Sequence, residues 1–166
     1  MKAFAEVKPT LILSVPLILE KIYKKMIQPQ ISRTAVSWVL KMPLLDKVVL
    51  NKIRETLVNA FGGEFSEIII GGAPLNAEVE AFLKRLKFPL TVGYGMTETA
   101  PLISFAHWDK FKSQSCGQVL DGLMEVRIAS PDGDGVGEIQ VRGEHVMLGY
   151  YKNEQATKES FTEDGW

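Results

Sequence analysis

The first 92 residues alternate between short apolar runs and longer amphipathic segments. The apolar runs cover residues 9–16, 67–70 and 88–92, and we interpret them as strands, the first of them buried. Elsewhere in this region, apolar residues recur at helical spacing. They predict helices over residues 17–27, 33–41, 44–61 and 76–86. Strands that alternate with helices in this way are typical of an α/β fold, a parallel sheet with flanking helices.

Two of the predicted helices carry clear end signals. The helix over 44–61 ends at Gly62-Gly63, because glycine readily adopts the backbone conformation that terminates a helix. Its expected apolar face comprises Leu45, Val48, Val49, Ile53, Leu57 and Ala60. The helix over 76–86 begins at Asn76, a favourable N-cap, and Glu78 and Glu80 occupy its first turn, where the helix dipole favours anions.

The pattern changes after Gly117. Apolar and polar residues alternate over 124–128 and again over 137–142, and the glycine-rich segment 131–135 lies between them. This arrangement predicts an antiparallel hairpin. A short helix is predicted over 153–160.

The change in pattern places a domain boundary near residues 117–122. We expect an α/β subdomain at 1–118 that carries the glycine turns, and a partial β subdomain at 119–166 that begins a small, barrel-like unit. The chain stops at residues 164–166 without closing a β unit, which suggests a fragment.

Composition and charge narrow the class of protein. The 166 residues are 46% hydrophobic, and no apolar run approaches the roughly 20 residues that a membrane span needs. The single cysteine, Cys116, fits a reducing, cytoplasmic compartment. Residues 1–62 carry ten Lys and Arg against four Asp and Glu, whereas residues 63–166 carry nine against sixteen. This asymmetry indicates either a solvated helical surface or a basic face attracted to anionic membranes or nucleotides, and no motif indicates nucleic acid.

Two glycine turns follow the second and third predicted strands. Residues 71–74 form the first and residues 92–100 the second. Glycine lets backbone amides approach a ligand closely, so the two turns predict a ligand cleft. The second turn adds side chains that suit a nucleotide: Tyr94 for the base, Thr97 for phosphate oxygens and Glu98 for a divalent cation.

Each of these residues also has a purely structural interpretation. The first turn is alternatively only a tight connection, Tyr94 a packed core aromatic, Thr97 a cap and Glu98 a surface carboxylate. Met96 is expected to serve packing rather than chemistry. His107 and His145 are expected to be structural, and Cys116 is expected to be an inert small residue. Tyr150, Tyr151 and Trp166 are expected to be core or interface aromatics.

Several motifs in order along the chain resemble the adenylate-forming superfamily. They lie at residues 71–74, 93–99, 137–143, 147–151 and 161–166. Residues 8–10 and 15–23 resemble, more narrowly, the AMP-forming long-chain fatty acid–CoA ligases. The similarity extends over nearly the whole chain and implies a middle slice of that family's large N-terminal domain.

The resemblance implies a two-step reaction with ATP, Mg²⁺ and coenzyme A. A carboxylate attacks the α-phosphorus of ATP to form an acyl-adenylate and pyrophosphate, and coenzyme A then displaces AMP. By the family's pattern, Thr97 and Glu98 are the catalytic residues, and Glu98 also holds Mg²⁺. The residues expected to bind the nucleotide are Gly72, Ala73, Pro74, Gly93, Tyr94, Gly95, Met96 and Thr97.

Parts of the family's machinery are not found in this sequence. Family enzymes carry a Ser/Thr/Gly-rich phosphate loop, a Thr-Gly-Asp motif just after a stretch like residues 164–166, and a mobile C-terminal domain with a catalytic lysine. We therefore expect the chain alone to be inactive. Alternative hypotheses are a fragment of an aryl-activating or amino-acid-activating enzyme, or a non-catalytic nucleotide-binding module.

The resemblance also sets expectations for partners. The expected substrates are a fatty acid, ATP and coenzyme A, and no nucleic acid is expected. Peripheral association with the inner face of a membrane and a homodimer are further hypotheses.

Overall fold

The computed structural model describes residues 2–40, 42 and 45–166. They form two compact units. The first contains the described residues up to 93 together with 106–117, and the second contains residues 94–105 together with 118–166. The boundary after residue 118 stays a prediction about the domains of the whole protein. Within the described residues, no helix has both the length and the apolar character that crossing a bilayer requires.

A parallel three-stranded sheet forms the centre of the first unit. Strands β1 (Leu11–Ser14), β2 (Glu67–Ile70) and β3 (Leu90–Val92) lie in the order β1-β2-β3. Ile12 pairs with Ile68, and Ile68 with Leu90, with all strands parallel. The predicted parallel sheet is confirmed.

The helices of the first unit lie before β1 and between the strands. They are α1 (Lys2–Val7), α2 (Pro16–Ile22), α3 (Gln28–Ile31), α4 (Thr34–Val39), α5 (Leu45–Ala60) and α6 (Ala77–Arg85). A π-helical turn, Tyr23–Ile27, joins α2 to α3. The predicted end of one helix at Lys41, the predicted stop before Pro43 and the predicted start of the next at Leu44 lie outside the described residues.

The core of the first unit is built from the predicted apolar faces, except that two residues of α5 are exposed. Leu50, Ile53 and Leu57 of α5 are buried, but Leu45 and Val48, which the periodicity placed on the same face, are exposed. They lie in the first turn of α5, away from the stripe of the helix surface that Leu50, Ile53 and Leu57 form.

Strand β1 was predicted to be fully buried, and this is wrong for the described residues. Ile12 is buried, whereas Leu13 is 74% exposed. Successive side chains of a strand point to opposite faces, and Leu11 and Leu13 lie on the face that the core does not cover.

The end signals of α6 are confirmed. The Asn76 side chain accepts hydrogen bonds from the amides of Glu78 and Val79, at 3.0 and 3.2 Å. Glu80, predicted only as a first-turn anion, is also buried, and its carboxylate accepts from the amide of Gln114.

Segment 106–117 returns to the first unit and is held there by buried polar side chains. Thr91 donates to one of its backbone carbonyls at 2.6 Å, and Glu67 and Glu80 each accept from one of its amides. Buried polar groups are stable when they are hydrogen-bonded in this way.

The second unit contains two antiparallel sheets. Strands β4 (Tyr94–Gly95), β5 (Leu102–Phe105) and β6 (Gln118–Val119) form one of them. Because these strands are short, the alternation of apolar and polar residues did not reveal them.

The predicted hairpin forms the other sheet of the second unit. Strands β7 (Glu125–Ala129) and β8 (Glu138–Arg142) pair in register from Glu125 with Arg142 to Ala129 with Glu138. Helix α7 (Glu154–Ser160) follows, and its N-cap is Asn153, which accepts from the amide of Ala156. Both elements agree with the sequence pattern.

Candidate functional site

The first glycine turn lies at the carboxyl end of β2. Gly72, Ala73 and Pro74 are exposed, and Gly72 has a φ of 85°, a conformation that favours glycine. A Cβ built on Gly71 would lie 3.7 Å from the carbonyl oxygen of Gly93, which follows β3. The structure therefore brings the start of the second turn beside the first, at the carboxyl edge of the parallel sheet.

The second turn continues in the second unit, where Gly95 has a packing role. A Cβ on Gly95 would lie 1.8 Å from the carbonyl oxygen of Pro101, so only glycine fits there. The amide of Met96 donates to the same Pro101 oxygen at 2.8 Å. Tyr94, which precedes Gly95 in β4, is half-buried.

Residues 97–99 form one 3₁₀ turn, and Ala100 after it has a φ of 56°. The hydroxyl that closes this turn belongs to Thr99, which is buried and lies 3.0 Å from the carbonyl oxygen of Met96 and 2.9 Å from that of Pro101. Thr97 is exposed at the start of the turn. Its hydroxyl is thus placed where a ligand can reach it.

Glu98 lies in the same turn and is fixed at both its backbone and its side chain. The Tyr150 hydroxyl donates to Oε1 of Glu98 at 2.6 Å, and the Met147 amide donates to the Glu98 carbonyl at 2.8 Å. Tyr150 lowers the pKa of the Glu98 carboxyl, because its hydrogen bond stabilises the carboxylate, and the same bond raises the pKa of Tyr150. Glu98 is therefore an anion held in a defined place.

Tyr150 is the site residue that the sequence interpretation missed. It was expected to be a core or interface aromatic, but it is 40% exposed and bonded to Glu98. The two residues are 52 positions apart, and no local pattern links them. The neighbouring Tyr151 is 87% exposed and contacts Lys152 through its ring.

The backbone of Tyr150 is fixed by α7. Its amide donates to the hydroxyl of Thr157 at 2.9 Å, and that hydroxyl donates to the carbonyl of Asn153. A Cβ on Gly149 would lie 2.6 Å from a methyl carbon of Thr157, so the chain approaches the helix closely at this point. Helix α7 thus sets the position from which Tyr150 reaches Glu98.

A cavity of about 520 Å³ lies within the second unit beside this pair. Its wall includes Met96, Glu98 and Tyr150 on one part and Phe161 and Trp166 on another. The cavity wall therefore combines apolar side chains with three acidic residues, Glu98, Glu138 and Glu159.

The last six residues are fastened to the β7–β8 hairpin. Both terminal nitrogens of Arg127 donate to the carboxylate of Asp164, at 2.7 and 3.0 Å. The guanidinium carbons of Arg127 and Arg142 lie 4.4 and 4.7 Å from the Trp166 ring centroid. Hydrogen bonds from Arg127 and then from Thr162 lower the pKa of Asp164 to about 2. Trp166, predicted as a core or interface aromatic, is half-buried between two cations.

The donor set around Glu98 suits Mg²⁺ brought by a nucleotide. No group of three or more His, Cys, Asp and Glu side chains capable of holding a metal occurs in the described part of the chain. Mg²⁺ usually keeps several waters and takes one or two carboxylates together with phosphate oxygens. A single fixed carboxylate beside an exposed Thr97 hydroxyl is consistent with that mode of binding.

Comparison with known proteins identifies the family. The sequence profile of the family described as AMP-binding enzyme matches residues 1–151. The long-chain-fatty-acid–CoA ligase FadD15 of Mycobacterium bovis is 33% identical over 96% of this chain. A probable 4-coumarate–CoA ligase 3 of Dictyostelium discoideum is 36% identical over 76% of it. The chain belongs to the family of AMP-binding enzymes.

A solved structure supports the same fold. The A-PCP didomain of carboxylic acid reductase from Segniliparus rugosus, in complex with AMP, superposes with a TM-score of 0.70 and 26% identity. That match covers 98% of this chain and 22% of the didomain. The chain spans 29% of the length of FadD15 and 22% of the 4-coumarate–CoA ligase. The predicted α/β fold of the adenylate-forming superfamily is confirmed.

Proposed function

We propose that the whole protein to which this chain belongs is an AMP-forming acid–thiol ligase. It activates a carboxylate with ATP, releases pyrophosphate, and transfers the acyl group to coenzyme A. The observation that carries the proposal is the turn at residues 96–100, which exposes the Thr97 hydroxyl and holds the Glu98 carboxylate through Tyr150. The family match and the ligase names of the relatives support it.

The proposed roles follow the two glycine turns. The exposed backbone of residues 72–74 contacts the adenine, and Tyr94 lies against the base. The backbone of residues 93–96 lines the nucleotide, and Thr97 donates to phosphate oxygens. Glu98 holds Mg²⁺, whose positive charge, when it is bound, offsets the charge that develops on the phosphates.

A substitution at Glu98 tests this assignment. In the whole protein, Glu98→Gln keeps the shape of the side chain but removes the anion, so carboxylate-dependent pyrophosphate release should fall by at least about 100-fold, as when one transition-state contact is lost. The control is Glu144→Gln, because Glu144 is an exposed carboxylate of the second unit and has no proposed role, whereas Glu98 is half-buried. Equal rates for the two variants would contradict the role of Glu98.

We propose a long-chain fatty acid as the carboxylate substrate. The residues at 8–10 and 15–23 resemble that branch, and FadD15 is named for it. An aryl acid is the second candidate, because the relative named for 4-coumarate is 36% identical. Pyrophosphate release by the whole protein with palmitate, 4-coumarate, benzoate or amino acids separates these branches.

The isolated chain is proposed to be catalytically inactive. It matches less than a third of the length of its ligase relatives, and the reaction in this family depends on parts beyond that match. Acyl-adenylate formation by the purified chain would contradict the proposal. Calorimetry tests the alternative of a non-catalytic nucleotide-binding module, which predicts micromolar affinity for AMP or ATP.

Peripheral membrane association, a cytoplasmic location and a homodimer remain predictions. The excess of Lys and Arg in residues 1–62 supports attraction to anionic lipid. Co-sedimentation with vesicles of phosphatidylcholine and phosphatidylglycerol at low salt tests the first, and absence of binding would remove it.

A further inference from the structure

Glu98 is half-buried, and its carboxylate accepts a hydrogen bond from a tyrosine hydroxyl outside its own turn. The Tyr150 hydroxyl lies 2.6 Å from Oε1, within the range of a strong hydrogen bond to an anion. Tyr150 is not part of the turn and comes from the segment between β8 and α7. The contact therefore depends on how the second unit folds.

The segment that carries Tyr150 is braced independently of Glu98. The hydroxyl of Thr157 accepts from the Tyr150 amide, and the close approach at Gly149 sets the chain against α7. The Met147 amide also holds the backbone carbonyl of Glu98 at 2.8 Å. Glu98 is thus held at its main chain by Met147 and at its carboxylate by Tyr150.

We propose that Tyr150 is a positioning residue that fixes the Glu98 carboxylate for binding of the nucleotide's divalent cation. The inference depends on the proposed role of Glu98. Tyr150 acts on the cation only through this carboxylate. It limits the rotamers of Glu98 before the cation arrives, so less conformational entropy is lost on binding.

The expected effect is on cation affinity more than on maximal rate. Hydrogen-bond partners of metal ligands typically change metal affinity by about 10–100-fold when they are removed. Tyr150→Phe removes one oxygen and keeps the ring, so packing of the segment is preserved. We expect the variant to bind the cation about 10-fold or more weakly, with a normal rate at saturating Mg²⁺.

The test measures Mn²⁺ binding to the whole protein with a non-hydrolysable ATP analogue, by electron paramagnetic resonance. Tyr151→Phe is the matched control, since it removes the same oxygen from the adjacent, 87% exposed tyrosine. The proposal predicts weaker Mn²⁺ binding in Tyr150→Phe and unchanged binding in Tyr151→Phe. In steady-state assays, the Mg²⁺ concentration for half-maximal rate should rise in Tyr150→Phe, while the KM for the carboxylate stays constant.

The outcomes separate this proposal from the proposed function. Equal Mn²⁺ affinity in wild type and Tyr150→Phe overturns the role of Tyr150 and leaves that of Glu98 intact. Equal affinity in wild type and Glu98→Gln overturns both. A lower rate at every Mg²⁺ concentration without a change in half-saturation would show a merely structural role and overturn the proposal. If Tyr150→Phe does not fold, Thr157→Val loosens the same segment and must weaken Mn²⁺ binding in the same direction.

Discussion

Gly95 and Gly71 lie in the two glycine turns, yet the structure predicts opposite responses to alanine. A Cβ on Gly95 would lie 1.8 Å from the Pro101 carbonyl oxygen and 2.7 Å from its carbonyl carbon. Both atoms belong to backbone, so the clash can be relieved only by moving β4 away from residue 101. On Gly71, a Cβ would meet the Gly93 oxygen at 3.7 Å, an ordinary contact.

The expected magnitudes follow from these distances. Overpacking of this kind costs about 1–3 kcal/mol, and each kcal/mol lowers the Tm of a chain of this length by about 2–4 °C. Gly95→Ala should therefore melt roughly 2–12 °C below wild type. Gly71→Ala meets no clash and reduces the freedom of the unfolded chain, so its Tm should not fall.

Thermal unfolding followed by circular dichroism measures both values on the purified chain. A wild-type Tm for Gly95→Ala would refute the argument, as would an equal fall in Gly71→Ala. Nucleotide affinity of the whole protein adds a second comparison. If Gly71→Ala loses affinity at an unchanged Tm, the glycine serves the approach of a ligand rather than the fold.

Other parts of the chain give further predictions. Arg127→Gln should raise the pKa of Asp164 from about 2 toward its ordinary 3.8, whereas Arg142→Gln should not, as a carbon-13 carboxyl titration by NMR would show. Because the folded pKa is the lower one, the stabilisation is present above pH 3.8 and is lost as the pH falls through 2; the difference in Tm between wild type and Arg127→Gln should therefore narrow over this range, and a difference that does not narrow would contradict this, since the contacts of Arg127 with Gln140 and Trp166 do not depend on the charge of Asp164. Asn76→Ala should lower the free energy of unfolding by about 1 kcal/mol in urea, through loss of the α6 cap, and no change would contradict the capping role. Thr91→Val should cost about 1–3 kcal/mol, because it leaves a backbone carbonyl of segment 106–117 without its donor, and faster amide exchange confined to that segment is the expected signature.

Elements whose signals are local were predicted well. The N-cap of α6 needs only Asn76 and the amides two and three residues later. The β7–β8 hairpin needs only alternation on either side of a glycine-rich turn. Strand β2 was predicted with its observed limits, Glu67–Ile70, because three consecutive isoleucines favour an extended chain. In each case the determining interactions span few residues.

Features that depend on distant partners were not predictable in the same way. The sheet of β4, β5 and β6 joins strands that are too short to show a pattern. The apolar spacing of α5 correctly predicted a helix, but Leu45 and Val48 are exposed because they lie away from the buried stripe of Leu50, Ile53 and Leu57. Burial depends on what packs against a residue, which periodicity does not contain.

The candidate site also has features that the sequence predicted and features that depend on distant partners. The order of motifs was enough to indicate the family, and the residue types in the second turn were enough to suggest a nucleotide and its cation. The tertiary structure alone decided that Gly95 is required by Pro101, that Thr99 rather than Thr97 closes the turn, and that Tyr150 holds Glu98. Sequence determines which chemical groups are present and how neighbours along the chain are arranged. Contacts between residues 52 positions apart exist only once the chain has folded, since folding alone brings them within a few ångströms.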